Sequence, residues 1–254
     1  MILGAQLYTI RMFTQNEADF ARSMKKVADI GYKTVQLSAA GKIAPKTIRK
    51  ICDDNGLEIV LTHTDQERVR TDIQSVIDDH GEMGCRYVGL GSMPDRYRNA
   101  EWIRYFAEDY TEPAKALKAA GMRLMYHNHH FEWEKTPDGR TLMEILLDTM
   151  SADLMGVTLD TYWVQAAGDD VAAYFAKLKD RLQCVHYKDY AIVKGVPRLD
   201  AIGAGHIDFK ALTAQLKKQG TTEYVLVEQD DCYGESPFAC LKQSYDFITK
   251  ECAF

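Results

Sequence analysis

The stretch RLMYHNHHFEWE, residues 123–134, runs from an apolar segment into three imidazoles and two carboxylates within its last eight positions. Histidine and glutamate at that density can ligate a metal ion, move protons, or form nothing more than a polar loop. Three later stretches carry comparable chemistry. GVTLD ends in Asp160, QCVHYK contains His186 and Lys188, and YVLVEQDD contains Glu228 and Asp230. Each sets ionisable groups at or just past the end of an apolar run. Burying an unpartnered charge costs on the order of several kcal/mol, so four such endings in succession point to a shared partner.

Side chains two apart point the same way along a strand, so His186 and Lys188 share a face, as do Glu228 and Asp230. Carboxylates with one imidazole form an oxygen-rich donor set that suits one divalent metal ion, Mn2+, Mg2+ or Co2+, with Zn2+ also compatible. Without a cation the carboxylates would repel and drive one another's pKa upward. Each residue also has an ordinary reading. Asp160 could cap the next helix, His186 could be a hydrogen-bonded core histidine, and Glu228 could stand in a solvated turn. Tyr162 and Trp163 could wall a ligand or pack beneath a helix, and His63 could face a substrate or sit in a loop. QLSAAG and GLGSMP, by contrast, end small and uncharged.

These residues need a scaffold that gathers strand ends. Strand-like runs occur at 2–8, 34–38, 58–63, 86–91, 123–128, 156–160, 183–188 and 224–229, with amphipathic helical patterns between them, for example at 19–30 and 208–219. Gly31, Gly56, Gly84, Gly121 and Gly220 punctuate helix-to-strand turns. Alternating strands and helices imply parallel pairing, and eight units fit an α/β (β/α)8 TIM barrel whose site lies at the carboxyl ends of the strands. An open doubly wound sheet would carry a glycine-rich phosphate loop after its first strand, whereas here LYTIRMFTQ follows. The 254 residues are expected to form one catalytic barrel domain, 1–254.

Bulk properties narrow the function. A net charge of −6 argues against a nucleic-acid partner. No apolar run is long enough for a membrane span, and MILGAQLYTIRM lacks the pattern of a leader, so a cytosolic protein is expected. The six cysteines are scattered without a C-x-x-C pair, which suits reduced thiols. The acidic balance and the lack of a glycine-rich anion loop favour a neutral sugar, keto-sugar or inositol derivative as the small-molecule partner. A homo-oligomer built through outer helices is open to a barrel of this size.

The run GAQLYTIR, YHNHHFEW, GVTLDTYWVQAAGDD, VHYKD, GAGHIDFKAL and VEQDD resembles the xylose isomerase-like barrel superfamily. Within it the chain most resembles the bacterial sugar phosphate isomerase/epimerase group, which includes ketose 3-epimerases and inosose dehydratase. That resemblance implies one divalent ion held by Glu, Asp, His and Glu from strands five to eight: Glu132 (with Glu134 as fallback), Asp160, His186 and Glu228. It further implies a metal-dependent isomerase or epimerase that abstracts a proton next to a carbonyl and passes through an enediolate. Glu132 and Glu228 would be base and acid, with His63, His127, His129, Lys188 and Trp163 around the substrate. A dehydratase of a keto-sugar or inosose is the alternative. Three departures stand out: His127 replaces the strand-five glutamate of the ketose epimerases, and Gln36 and Ala204 stand where relatives often have Glu. The His127 and Ala204 departures support a rival reading as a non-catalytic sugar-binding barrel. An AP-endonuclease-like nuclease would need further ligands on strands two and three, where only His63 is offered.

Overall fold

The computed structural model describes residues 1–252 and 254. Its barrel strands are β1 (Ile2–Gln6), β2 (Thr34–Leu37), β3 (Glu58–Thr64), β4 (Tyr87–Leu90), β5 (Arg123–His127), β6 (Met155–Asp160), β7 (Cys184–Tyr187) and β10 (Tyr224–Val227). They close in the order β1-β10-β7-β6-β5-β4-β3-β2, with every pairing parallel. The expected (β/α)8 barrel is therefore present. Helices α1 (Glu17–Ile30), α2 (Pro45–Asp54), α3 (Gln66–Thr71), α4 (Ile73–Met83), α5 (Ile103–Ala119), α6 (Leu142–Thr149), α7 (Thr161–Ala166), α8 (Val171–Lys177) and α9 (Phe209–Gln219) lie between strands, and α10 (Pro237–Glu251) follows the last strand. Gly84 and Gly220 end α4 and α9 at φ +67 and +72, a conformation that side chains with a Cβ resist. None of the described helices is long and apolar enough to cross a membrane.

Alternation along each strand decides what reaches the axis. Val60, Leu61, Tyr87, Met125, Cys184 and Leu226 form a separate apolar cluster drawn only from strands. Two residues beyond Leu61, Met125, Cys184 and Leu226 stand His63, His127, His186 and Glu228, so the same inward faces end in polar groups. Asp160 joins that level because it pairs in register with His186. Gly4 and Leu226 are also in register, and a Cβ on Gly4 would come within 2.6 Å of the Leu226 side chain. A glycine there lets β1 and β10 approach beneath the site.

Two features depart from the sequence expectation. The first strand stops at Gln6 rather than residue 8, because the Gln6 side chain accepts a hydrogen bond from the Tyr8 amide and opens a 3-10 helix over Leu7–Phe13. An antiparallel hairpin, β8 (Asp189–Val193) and β9 (Val196–Asp200), follows β7 outside the barrel. Its two-residue turn, Lys194–Gly195, has φ values of 51 and 81, the left-handed geometry of tight hairpins. The buried Asp189 carboxylate accepts hydrogen bonds from the amides of Tyr190, Gly203, Gly205 and Ile207, which fixes the loop returning from the hairpin. Ala204 lies exposed on that loop.

His80 ties α4 to β3. Its Nδ1–H donates to the Val76 carbonyl at 2.7 Å, which leaves Nε2 to accept from the Thr62 hydroxyl at 2.9 Å. Burial holds its pKa below 6.5, so the unfolded chain binds the proton more readily and this contribution to stability is lost as pH falls through about 6.5. His80→Gln is expected to lose less stability than the parent between pH 8 and pH 5.5, read from urea midpoints. His63 and His129 titrate with the same sign, so the slope should flatten rather than vanish. An unchanged slope would refute the assignment.

Candidate active site

One ligand atom from each of His127, Asp160, His186 and Glu228 lies within 4.8 Å of the others, and all four residues are buried. The strands set this arrangement, since each residue ends or follows an inward face. Asp160 caps the next helix and also belongs to this cluster. Its Oδ1 accepts from the Trp163 amide and caps α7 (Thr161–Ala166), while Oδ2 faces His127 Nε2 at 3.3 Å. The Asp160 amide in turn donates to the Asn128 side-chain oxygen at 2.9 Å.

Neighbouring groups decide which imidazole nitrogens face the cluster. His186 Nε2 lies 2.6 Å from Gln36 Oε1 and His127 Nδ1 lies 3.0 Å from the Gly91 carbonyl. Both partners are acceptors, so those nitrogens carry protons in the neutral rings. The other nitrogens, His186 Nδ1 and His127 Nε2, face carboxylate oxygens, and His127 Nε2 is within hydrogen-bond reach of Asp160 Oδ2. His186 Nδ1 sits 3.0 Å from Glu228 Oε2, and neither atom has a directed hydrogen bond. Two lone pairs that close repel unless a proton or cation stands between them. The donor set of two nitrogens and two carboxylate oxygens therefore fits a divalent ion. Glu228 is aimed by Gln6, whose amide donates to Oε1 at 2.6 Å.

The Lys188 ammonium also enters the cluster. It stands 3.0 Å from Asp160 Oδ2, 3.0 Å from Glu228 Oε2 and 2.9 Å from Asp230 Oδ1. Burial alone would push Asp160 and Glu228 up, yet the Lys188 charge and the nearby imidazoles hold both below the usual carboxylate range. Asp230 is pushed up to about 6, first by burial and then by the Glu228 charge, against the pull of Lys188. Burial lowers His186, and His63 well below its usual value, and takes His129 to about 3. His127 resists burial and rises, because Asp160 bonds and attracts its protonated form.

A pocket of about 210 Å3 opens above these groups, lined by Tyr8, Ser38, His63, Gly91, Ser92, His127, His129, Lys188, Glu228 and Asp230. Of the residues anticipated around a substrate, His63, His127, His129 and Lys188 stand on its wall, and His127 also joins the ligand cluster. Trp163 stands beside it, its ring 5.4 Å from the Lys188 ammonium and 5.2 Å from the His129 ring.

Glu132, expected as a ligand, lies in neither the ligand group nor the pocket wall. A 3-10 turn over Phe131–Trp133 turns its carboxylate back into the protein, where Oε1 accepts from the Tyr126 hydroxyl at 2.5 Å and Oε2 from the His129 amide at 2.8 Å. It is fully buried, and burial pushes its pKa up to about 7. Glu134 is exposed and does not replace it. Ala204 also lies away from the pocket wall. Gln36, which aims His186, stood out in the sequence only as a departure from relatives, and Gln6, which aims Glu228 from the register position beside it, did not stand out at all.

The chain is similar to known proteins in sequence and in fold. Inosose dehydratase of Lacticaseibacillus casei is 20% identical over 260 residues, covering 87% of this chain and 86% of the relative. A sugar phosphate isomerase/epimerase from Parabacteroides distasonis ATCC 8503 superimposes with a TM-score of 0.82 at 21% identity, covering 98% of this chain and 93% of that one. An L-ribulose 3-epimerase structure gives 0.78 at 15% identity, covering 99% and 94%. Residues 24–250 match the family model described as a xylose isomerase-like TIM barrel, and the chain belongs to that family.

Proposed function

We propose that the protein is a divalent-metal-dependent sugar isomerase or epimerase that removes a proton next to a carbonyl and passes through an enediolate. The observation that carries this reading is the convergence of His127, Asp160, His186 and Glu228 beneath a small polar pocket. These four residues would hold the ion. When bound, Mn2+, Mg2+ or Co2+, with Zn2+ also compatible, would supply Lewis acidity to the carbonyl and adjacent hydroxyl oxygens of the substrate.

The chain's own groups account for the proton transfers. Glu228 stays ionised and borders the pocket, so it is assigned as the base. Glu132 is enclosed by the Tyr126 hydroxyl and the His129 amide, and the second role falls to Asp230. With a pKa pushed up to about 6, Asp230 exchanges its proton near neutral pH. His63 and His129 come from the opposite part of the ring from β10 and each keeps a buried ring nitrogen without a partner. Held neutral by burial, they can donate to or accept from sugar hydroxyls. Trp163 offers an apolar surface at the pocket's edge. The pocket is smaller than the roughly 300 Å3 at which sites for drug-sized ligands begin, which suits a single small sugar.

A dehydratase of a keto-sugar or inosose is the second reading. Two observations favour it: the similarity to inosose dehydratase, and Asp230, which in its protonated form could give the proton to a departing hydroxyl.

Incubating Mn2+-loaded protein with ketoses, keto-glycosides and inosose in deuterated water distinguishes the two by NMR. Deuterium on a carbon next to the carbonyl, with no loss of mass as water, is expected for the isomerase or epimerase. Loss of water identifies the dehydratase, and neither outcome across the panel would refute both. Glu228→Gln should keep the fold by circular dichroism and lose about 100-fold or more in turnover; near-normal turnover would remove Glu228 from its role. Gln36→Leu should weaken Mn2+ binding by about 10- to 100-fold, because the His186 tautomer is no longer fixed. Titration calorimetry showing unchanged affinity would rule out that positioning role.

A further inference from the structure

The carboxylates proposed to hold an ion already have a cation supplied by the chain. Lys188 Nζ stands 3.0 Å from Asp160 Oδ2 and 3.0 Å from Glu228 Oε2, and both residues belong to the ligand group. The same ammonium reaches the two oxygens of Asp230 at 2.9 and 3.1 Å, and Asp230 lies outside that group. The Lys188 side chain is 2% exposed, so its charge is paired mainly by these carboxylates and little by bulk water.

An ammonium and a divalent ion cannot both hold the same pair of carboxylate oxygens at close range, because like charges in a poorly screened interior repel. Yet without either cation, two fully desolvated carboxylates would face each other unpaired. We propose that Lys188 is the resident counter-ion of the ligand set, keeping Asp160 and Glu228 charged and in place until a divalent ion takes them over. Asp230 is the berth that keeps the ammonium paired after that exchange. Lys188 and Asp230 are then positioning residues that set metal affinity through charge exchange. This inference rests on the proposed metal site.

Calorimetric titration with Mn2+ at one fixed pH tests it without any substrate. Lys188→Met should bind Mn2+ about tenfold or more tightly than the parent, since no cation has to be displaced. Asp230→Asn should bind more weakly, and should lose most of that effect when combined with Lys188→Met. Binding by Lys188→Met that is equal to or weaker than the parent's overturns the counter-ion role. An Asp230→Asn effect that is undiminished in the double variant overturns the berth.

Because Lys188→Met leaves three acidic groups without their ammonium, the folded state is followed as well. Its melting temperature should fall without metal and rise more on adding Mn2+ than the parent's does; an equal or smaller rise counts against the proposal. Should neither protein bind Mn2+, the metal site itself fails and the inference with it. A parent that binds beside a variant that binds no tighter sinks the inference alone.

Discussion

Charge balance among buried groups governs the mouth of this barrel. Asp160 and Glu228 are buried, and each must be neutralised where it stands. Lys188 lies between them and offsets one of the two charges, with Asp230 as its third partner. Replacing such a set with apolar side chains would cost the fold little, whereas removing one member alone would leave an uncompensated charge. The arrangement is therefore weak evidence for stability and stronger evidence for a site. Groups of this kind are arranged where charge must be exchanged with a ligand.

The strand geometry makes the balance possible. Parallel strands carrying side chains at a two-residue period bring an apolar layer and then a polar layer to the axis, from the same inward faces. The apolar layer of Val60, Leu61, Tyr87, Met125, Cys184 and Leu226 excludes water below the carboxylates. Around it, neutral amides and a carbonyl set direction instead of adding charge. Gln6 aims Glu228, Gln36 fixes the His186 tautomer and Gly91 fixes that of His127. A glutamate at Gln36 would add another negative charge next to His186, so the amide is the gentler choice for a site already rich in carboxylate.

His127 and Glu132 show how a local turn redistributes roles. The sequence offers an imidazole at the end of β5 and a carboxylate five residues later, and either could serve the cluster. Strand alternation points His127 inward at the right level. The 3-10 turn then spends Glu132 on the His129 amide and the Tyr126 hydroxyl, which stiffens the segment carrying His129. The cluster thus gathers two imidazoles and two carboxylates, and Lys188 already offsets one negative charge.

Periodicity made much of this legible in the sequence alone. The eight barrel strands, the glycines ending α4 and α9, and the polar endings at Asp160, His186 and Glu228 follow from two- and 3.6-residue repeats, which are local properties of a chain. The hairpin after β7 was missed because its turn is only Lys194–Gly195, and its strands read as loop between two expected elements. Gln6 and Gln36 carry no charge to mark them, and their importance comes from partners 222 and 150 residues away. Tertiary structure alone decided that His127 rather than Glu132 joins the cluster, and that Lys188 lies among the carboxylates. A carboxylate beyond a strand end can turn towards the axis or back onto its own backbone, and the balance is set by hydrogen-bond donors that only the folded chain brings within reach.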